Sequence, residues 1–344
     1  MTEPFQIRAL EPSDAERLTA CFRRCYGDSY VAGFFYDPTA IRERVADGRL
    51  RSVVAVAPTG EVVGHMGLTR RHPEARTVEA GNTVVDPSAR GHGLAAKLGA
   101  ALFGLCRDAG YVGFHHYPTT AHPIMQRLAV DGGGVETGVM LAYVPAETDY
   151  RDLGGRSAKG RLAVVTVYQP LAPAPERDVF LPERFASLLR TLYERARLVR
   201  RVLAPGASGA ADAASIADET RLAVHTDAAR SLVRIDAEAL GRDASDRIVA
   251  AAASAASEVT HVDLPLSDPA APRIVEELRE ADFFFCALLP EFAATDVLRL
   301  QHLRSATPEV LTPDLVHSEA RAILQAALAD RNAARDFGPR SGDP

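Results

Sequence analysis

No run of about 18 apolar residues occurs in the 344-residue chain, and no secretory apolar segment opens it, so neither a membrane span nor export is expected. Cysteine is scarce. Cys21, Cys25, Cys106 and Cys286 lie in stretches that read as helix or strand, with neither metal-ligand nor disulfide-framework spacing, which suggests reduced thiols and a cytoplasmic protein. Positive charge is also short: 39 Lys and Arg against 45 Asp and Glu give a net charge of −6, which argues against wholesale coating of nucleic acid. Lysine occurs only at Lys97 and Lys159, a bias that says little about function. No metal is expected, since His115 and His116 are neighbours on a strand and point to opposite faces.

The length suits two domains with full cores. Phe5–Leu10 reads as a strand, and Ser13 with Glu16 as a capping box that starts a helix to about Tyr26. Asp37-Pro38 starts a second helix, and Arg51–Ala57 with Glu61–Thr69 reads as a hairpin. Thr77–Val85, Tyr111–Tyr117 and Glu136–Val144 read as strands, separated by a helix to about Ala109 and a short helix over Pro123–Val130. Residues 146–160 read as a linker. A second series then starts with a strand at Leu162–Tyr168 and a helix over Pro182–Leu203. It continues with strands in Arg221–Ile235 broken at Asp227–Arg230, helices over Ser245–Ala256 and Pro269–Glu280, and strands at Val259–Leu266, Phe283–Leu289 and Asp296–Leu303. Residues 204–218 read as a mobile insertion and the tail after about Arg331 as disordered.

The stretch Val84–Lys97, Val-Val-Asp-Pro-Ser-Ala-Arg-Gly-His-Gly-Leu-Ala-Ala-Lys, carries the most chemistry. It is a strand end, a proline turn and a glycine pair that opens a helix. Such a junction holds anions, because glycine lets backbone N–H groups approach a phosphate and the helix N-terminus adds unpaired donors and partial positive charge. Arg90 can add a charge-assisted contact. The spacing Arg-x-x-Gly-x-Ala, following a strand that ends in Val-Asp-Pro, resembles the pyrophosphate signature of the GNAT superfamily of acyl-CoA-dependent N-acyltransferases. The order β-α-α-β-β-β-α-β-α-β extends that resemblance over about the first 145 residues.

The resemblance implies an α/β (α+β) chain of two GNAT-like domains, each a mixed, mostly antiparallel twisted sheet flanked by helices. The first would span residues 1–145, with a linker at 146–160, a degenerate second copy at 161–305, and a C-terminal helix and tail at 306–344. The second copy lacks the signature: Asp236-Ala-Glu-Ala-Leu-Gly-Arg-Asp-Ala-Ser stands where the phosphate turn would be. The co-substrate implied is acetyl-CoA or another acyl-CoA, with Val84 and Val85 beside pantetheine and Arg90, Gly91, His92, Gly93, Leu94 and Ala95 on the pyrophosphate. The implied acceptor is a small-molecule amine.

Glu79 lies on the same strand, where several GNAT enzymes keep a glutamate that takes the amine's proton; the bland reading is a solvated strand residue. The usual leaving-group tyrosine is missing, with Ala129 at its place. Tyr117 and His122, or His115 and His116, are the candidates to replace it. The arginines from Arg184 to Arg201 suggest a second reading, an aminoacyl-tRNA-dependent transferase whose tRNA docks on that helix; the bland reading is a solvated face with internal ion pairs. A third is a non-catalytic acyl-CoA-binding module.

Overall fold

The computed structural model describes residues 5–148, 160–204 and 219–337. The first half runs β1 (Gln6–Ala9), α1 (Ala15–Tyr26), α2 (Pro38–Ala46), β2 (Arg51–Val56), β3 (Val62–Thr69), β4 (Thr77–Val85), α3 (Leu94–Asp108), β5 (Gly113–His116), α4 (Pro123–Asp131), β6 (Val135–Val144) and β7 (Leu162–Pro170). After it come β8 (Arg177–Val179), α5 (Glu183–Arg195), β9 (Arg200–Val202), β10 (Arg221–Asp227), β11 (Leu232–Ala239), α6 (Ala244–Ala255), β12 (Val259–Pro265), α7 (Ala271–Glu280), β13 (Phe284–Leu289), β14 (Val297–Leu303), α8 (Pro308–Leu311) and α9 (Ser318–Phe337).

β2 shows why these elements form. Val53 and Ala55 join the core beneath α3, while Val54 and Val56 join the core beneath α1 and α2, so the unbroken apolar run is a strand covered on both faces. α2 begins as expected, with the Asp37 carboxylate accepting the Thr39 N–H at 2.9 Å. α1 does not. Asp14 closes its entry by accepting the Glu11 N–H at 3.0 Å and two Arg8 donors at 2.6 and 2.8 Å, whereas the expected cap residues Ser13 and Glu16 are exposed and Glu16 pairs with Arg42.

Twelve strands form one sheet in the order β1-β2-β3-β4-β5-β7-β6-β13-β14-β12-β11-β10. Reading outward from the β6–β13 junction, β6-β7-β5-β4-β3 on one side faces β13-β14-β12-β11-β10 on the other. Both series have their parallel pair at the corresponding place, β4–β5 and β11–β12. α3 and α6 cross over within those pairs, and α4 and α7 follow them. The strand expected to open the second series, β7, lies between β5 and β6, antiparallel to both. Its residues therefore complete the first half's sheet, and a boundary at 161 would cut through it. The expected linker falls mostly in residues 149–159 and the expected insertion in 205–218, outside the described residues. The C-terminal helix continues past Arg331 to Phe337.

The two series meet by close backbone approach. Gly138 pairs with Ala287, and a Cβ at Gly138 would lie 2.3 Å from the Ala287 Cβ, so a side chain there would push the strands apart. Gln301 of β14 stitches the junction, accepting the Leu141 N–H at 3.0 Å and donating to the Val139 carbonyl at 3.1 Å. Arg299, fully buried, holds Asp263 through two bonds of 2.6 and 2.7 Å.

Candidate active site

β4 separates from both neighbours where a site is needed. Its ladder with β5 ends at Ala80–His116, so Gly81–Thr83 present a strand edge that no neighbouring strand covers. On the β3 side the register slips between His65–Val84 and Gly67–Gly81, and Asn82 takes a positive φ of 54°. His65 holds this bulge: its Nδ1 lies 2.8 Å from the Asn82 carbonyl, and burial lowers its pKa to about 4, so the neutral ring donates from Nδ1. The Tyr30 hydroxyl donates to Asn82 Oδ1 at 2.9 Å. Sequence reading missed His65, since a lone histidine in an apolar strand gives no signal beyond a satisfied core residue.

The uncovered edge lines a cavity of about 560 Å³. One part runs between Gly81–Thr83, α3 (Ala95, Ala96, Gly99) and the start of α4; the other reaches Glu79, Tyr117, Tyr143 and Arg230. Glu79 is buried, with Arg71 Nε donating to Oε2 at 2.5 Å and the Tyr117 hydroxyl to Oε1 at 3.0 Å. Burial works against ionisation, but the Arg71 charge and hydrogen bond, with the charges of Arg299 and Arg234, outweigh it and hold this carboxyl below its ordinary value. Glu79 is therefore a carboxylate at neutral pH. Tyr117 is pushed well above the usual phenol value by burial and by Glu79, so its proton stays in that bond.

The histidines separate as the strand alternation requires. His115 points away from the cavity, its Nε2 2.9 Å from the Pro290 carbonyl, which removes it as a stand-in acid. His116 and His122 line the cavity, but burial lowers both, His116 to about 4, so both are neutral near pH 7 and poor proton donors. Ala129, at the place of the missing tyrosine, is on the cavity wall. His65, His115 and His116 each titrate near 4 rather than 6.5. The unfolded chain takes up these protons below pH 6.5 and the native state does not until about pH 4, so their stabilisation is full above 6.5 and is lost as the pH falls towards 4. At up to about 1.4 kcal/mol per pH unit for each group, Tm should fall by several degrees between pH 7 and pH 5. A flat profile would contradict neutral burial.

The glycine turn leads into the cavity wall, which begins at Ala95 and Ala96. Gly91 and Gly93 have φ of 83° and 68°, and a Cβ at either would meet nothing within 4 Å, so the backbone is turned and open. α3 begins at Gly93 without a side-chain cap, Ala95 reaches the cavity, and Arg90 donates to the Val85 carbonyl at 3.3 Å. His92 rests against Phe5, and Leu94 is core. Val84 and Val85 do not line the cavity; Gly81–Thr83 do, because the bulge rather than the strand end faces it. The corresponding turn before α6 is closed by its own side chains. Thr220 Oγ1 accepts the Gly241 N–H at 3.0 Å and donates to Asp243 at 2.5 Å, and Gly241 has Thr220 atoms 2.8 Å from a would-be Cβ.

The arginine-rich segment does not form the expected surface. α5 ends at Arg195, short of the expected Leu203, and Val199 beyond it is exposed. Arg200 is buried between Asp296 and Glu291 at 2.6 and 3.0 Å, Arg201 pairs with Asp178, Arg184 with Glu276 and Asp330, and Arg195 with Glu319. Four of the segment's six arginines are thus held in ion pairs, while Arg190 and Arg197 are exposed, so the segment presents fewer unpaired charges than the sequence suggests. Arg200→Ala would leave buried Asp296 without its arginine, while Glu291 keeps Arg177, and should cost about 3–5 kcal/mol in denaturant unfolding; a loss below about 1 kcal/mol would place the pair in the surface class.

Comparison with known proteins adds the family. No curated protein matches the chain. Among solved structures, the chain is similar to an N-acetyltransferase from Staphylococcus aureus Mu50 (17% identity, 49% of this chain and 99% of that one, TM-score 0.40). It is also similar to a phosphinothricin acetyltransferase from Sinorhizobium meliloti solved with acetyl-CoA (22%, 49% and 90%, 0.40) and to the spermidine/spermine N-acetyltransferase SpeG from Vibrio cholerae (15%, 49% and 94%, 0.38). Residues 15–125 match the Acetyltransferase (GNAT) family. The chain therefore carries a GNAT acetyltransferase domain, whose matched residues run from the start of α1 into α4 and include the uncovered β4 edge and the glycine turn.

Proposed function

We propose that the protein is an N-acyltransferase that moves an acetyl group from acetyl-CoA to the amine of a small molecule, with one active site, in the first half. The observation that carries this is the continuity of one cavity from the uncovered β4 edge to the Glu79 carboxylate. The open turn at Gly91 and Gly93 and the uncapped start of α3 suit a pyrophosphate, with Arg90 adding charge. Gly81–Thr83 would run beside the pantetheine arm and offer backbone N–H groups to a developing oxyanion. Acetyl-CoA when bound supplies a thioester, whose thiolate is a far better leaving group than an alkoxide and can leave without a strong acid; the absence of a tyrosine at Ala129 is then tolerable.

Glu79 takes the proton that the amine sheds, directly or through one water. Its low pKa suffices because an amine nitrogen becomes far more acidic as it is acylated. Arg71 and Tyr117 fix the two carboxylate oxygens and act as positioning residues. His122 shapes the wall at the start of α4. The matched strand orders, with Thr220 and Asp243 closing the corresponding turn, support a duplicated chain whose second copy has lost its phosphate site.

The test is thiol release from acetyl-CoA with a panel of amines, and with charged tRNA in place of acetyl-CoA. Release that needs both acetyl-CoA and an amine is expected. Product formed only with charged tRNA, or acetyl-CoA bound but never consumed, would overturn the reading.

A further inference from the structure

The acceptor end of the cavity is not built by the first half alone. Arg230, from the turn between β10 and β11, lines it together with Arg71, Glu79, Tyr117 and Tyr143. Its guanidinium sits 5.3 Å from the Tyr143 ring centroid, and Tyr143 is also close enough to Arg71 to act on its charge, so the two arginines flank one tyrosine.

This placement is held from several sides. Asp227 accepts the Arg230 backbone N–H at 3.1 Å and pairs with its Nη1. Arg161 donates to the Arg230 carbonyl and, at 2.7 Å, to the carbonyl of Ala142, which takes a positive φ of 53° just before Tyr143. One side chain thus ties the β6 irregularity that presents Tyr143 to the turn that presents Arg230. Among the described residues Asp227 is the one carboxylate that meets the Arg230 side chain, through Nη1, so Nε and Nη2 keep their donors. Asp227 is itself about one-third exposed and needs no cavity-lining arginine to be satisfied.

Charge narrows the occupant. The ionised groups lining this end are Arg71, Arg230 and Glu79, and Asp227, behind Arg230, balances part of its charge, so what this end offers is guanidinium donors rather than a net charge. A single carboxylate on the acceptor can take up the Arg230 Nε and Nη2 donors with the least negative charge beside Glu79, whereas a phosphate of about −1.5 to −2 would place more there. A polycationic amine would face two arginines. Guanidinium donors in a planar fork match a carboxylate geometrically, and tyrosine rings provide an apolar wall for the rest of the molecule.

Resting on the acyltransferase reading above, we infer that the acceptor is an amino acid or a similar small amine bearing one carboxylate, and that Arg230 of the second half binds that carboxylate and sets specificity. This gives the second half a direct part in the site despite its closed phosphate turn.

The experiment pairs each amino acid with the amine that lacks its carboxylate: tyrosine with tyramine, histidine with histamine, leucine with isoamylamine, and spermidine as a polycation. Wild-type protein should favour the acid of the best pair at least tenfold in kcat/KM. Arg230→Ala should raise KM for that acid at least tenfold, with kcat and the constants for the partner amine within about twofold; Arg230→Lys should recover part of the preference. Titration of CoA-loaded protein with N-acetyltyrosine and N-acetyltyramine reads the same discrimination without turnover. Preference for tyramine, histamine or spermidine, or a preference for acids that Arg230→Ala leaves untouched, would overturn the inference alone, as would equal binding of the two acetylated products. Absence of acetyl-CoA binding would instead overturn the acyltransferase reading on which it rests.

Discussion

Glu79→Gln is expected to lower kcat by about 10²–10⁴ while acetyl-CoA affinity stays within a few-fold, because glutamine keeps the shape and loses the proton acceptor. The structure alters what pH should reveal. Arg71 holds the carboxyl ionised below its ordinary value, so the proton acceptor is ready throughout the neutral range. An acid limb between pH 6 and 9 would then report the amine's own proton, should move with the pKa of the acceptor used, and should persist in Glu79→Gln at reduced amplitude. The substitution also leaves Arg71 without its charge partner, so the acetyl-CoA titration is needed to separate lost chemistry from lost structure. Turnover within a few-fold of wild type would make Glu79 an ion-pair residue and send the proton elsewhere.

The second large effect should come from Gly99, on the cavity-facing side of α3. A Cβ there would meet nothing within 4 Å, so the site accepts a side chain, and an interior helical glycine costs about 1 kcal/mol relative to better helix formers. Gly99→Leu should therefore leave Tm unchanged or raise it. Its side chain would fill the slot between α3 and the β4 edge, and acetyl-CoA affinity should fall at least about a hundredfold, as two or more lost contacts of about 1.5 kcal/mol each imply. Stable protein that still binds acetyl-CoA normally would show that the slot is not where the pantetheine arm lies. Unlike a change in the turn, this substitution removes no charge and alters no strained backbone.

Much of this was legible in the chain, and the exceptions have physical reasons. The turn at Arg90–Ala95 could be read because glycine spacing, a preceding proline and an Ala/Leu helix are local signals. Strand identity was readable from β-branched runs, but β7 carries no mark of its neighbours. Its place between β5 and β6 depends on a partner far off in sequence, and it was assigned to the wrong series. The family resemblance puts Val84 and Val85 beside pantetheine; the bulge at Asn82 moves the uncovered edge back to Gly81–Thr83. Counting arginines overstated a cationic surface, since Glu291 and Asp296, which bury Arg200, lie about ninety residues away. Arg230 was visible only as part of a break between two strands.

The central claim is that one acyl-CoA site, at the first half's glycine turn, serves the whole chain. Calorimetric titration of the full chain with acetyl-CoA tests it most directly, with Arg90→Glu beside the wild type. One site per chain is expected, weakened by Arg90→Glu by about 1.5–3 kcal/mol, the range for a hydrogen bond to a charged group. Two equivalent sites per chain, no binding at all, or a single site indifferent to Arg90→Glu would contradict it.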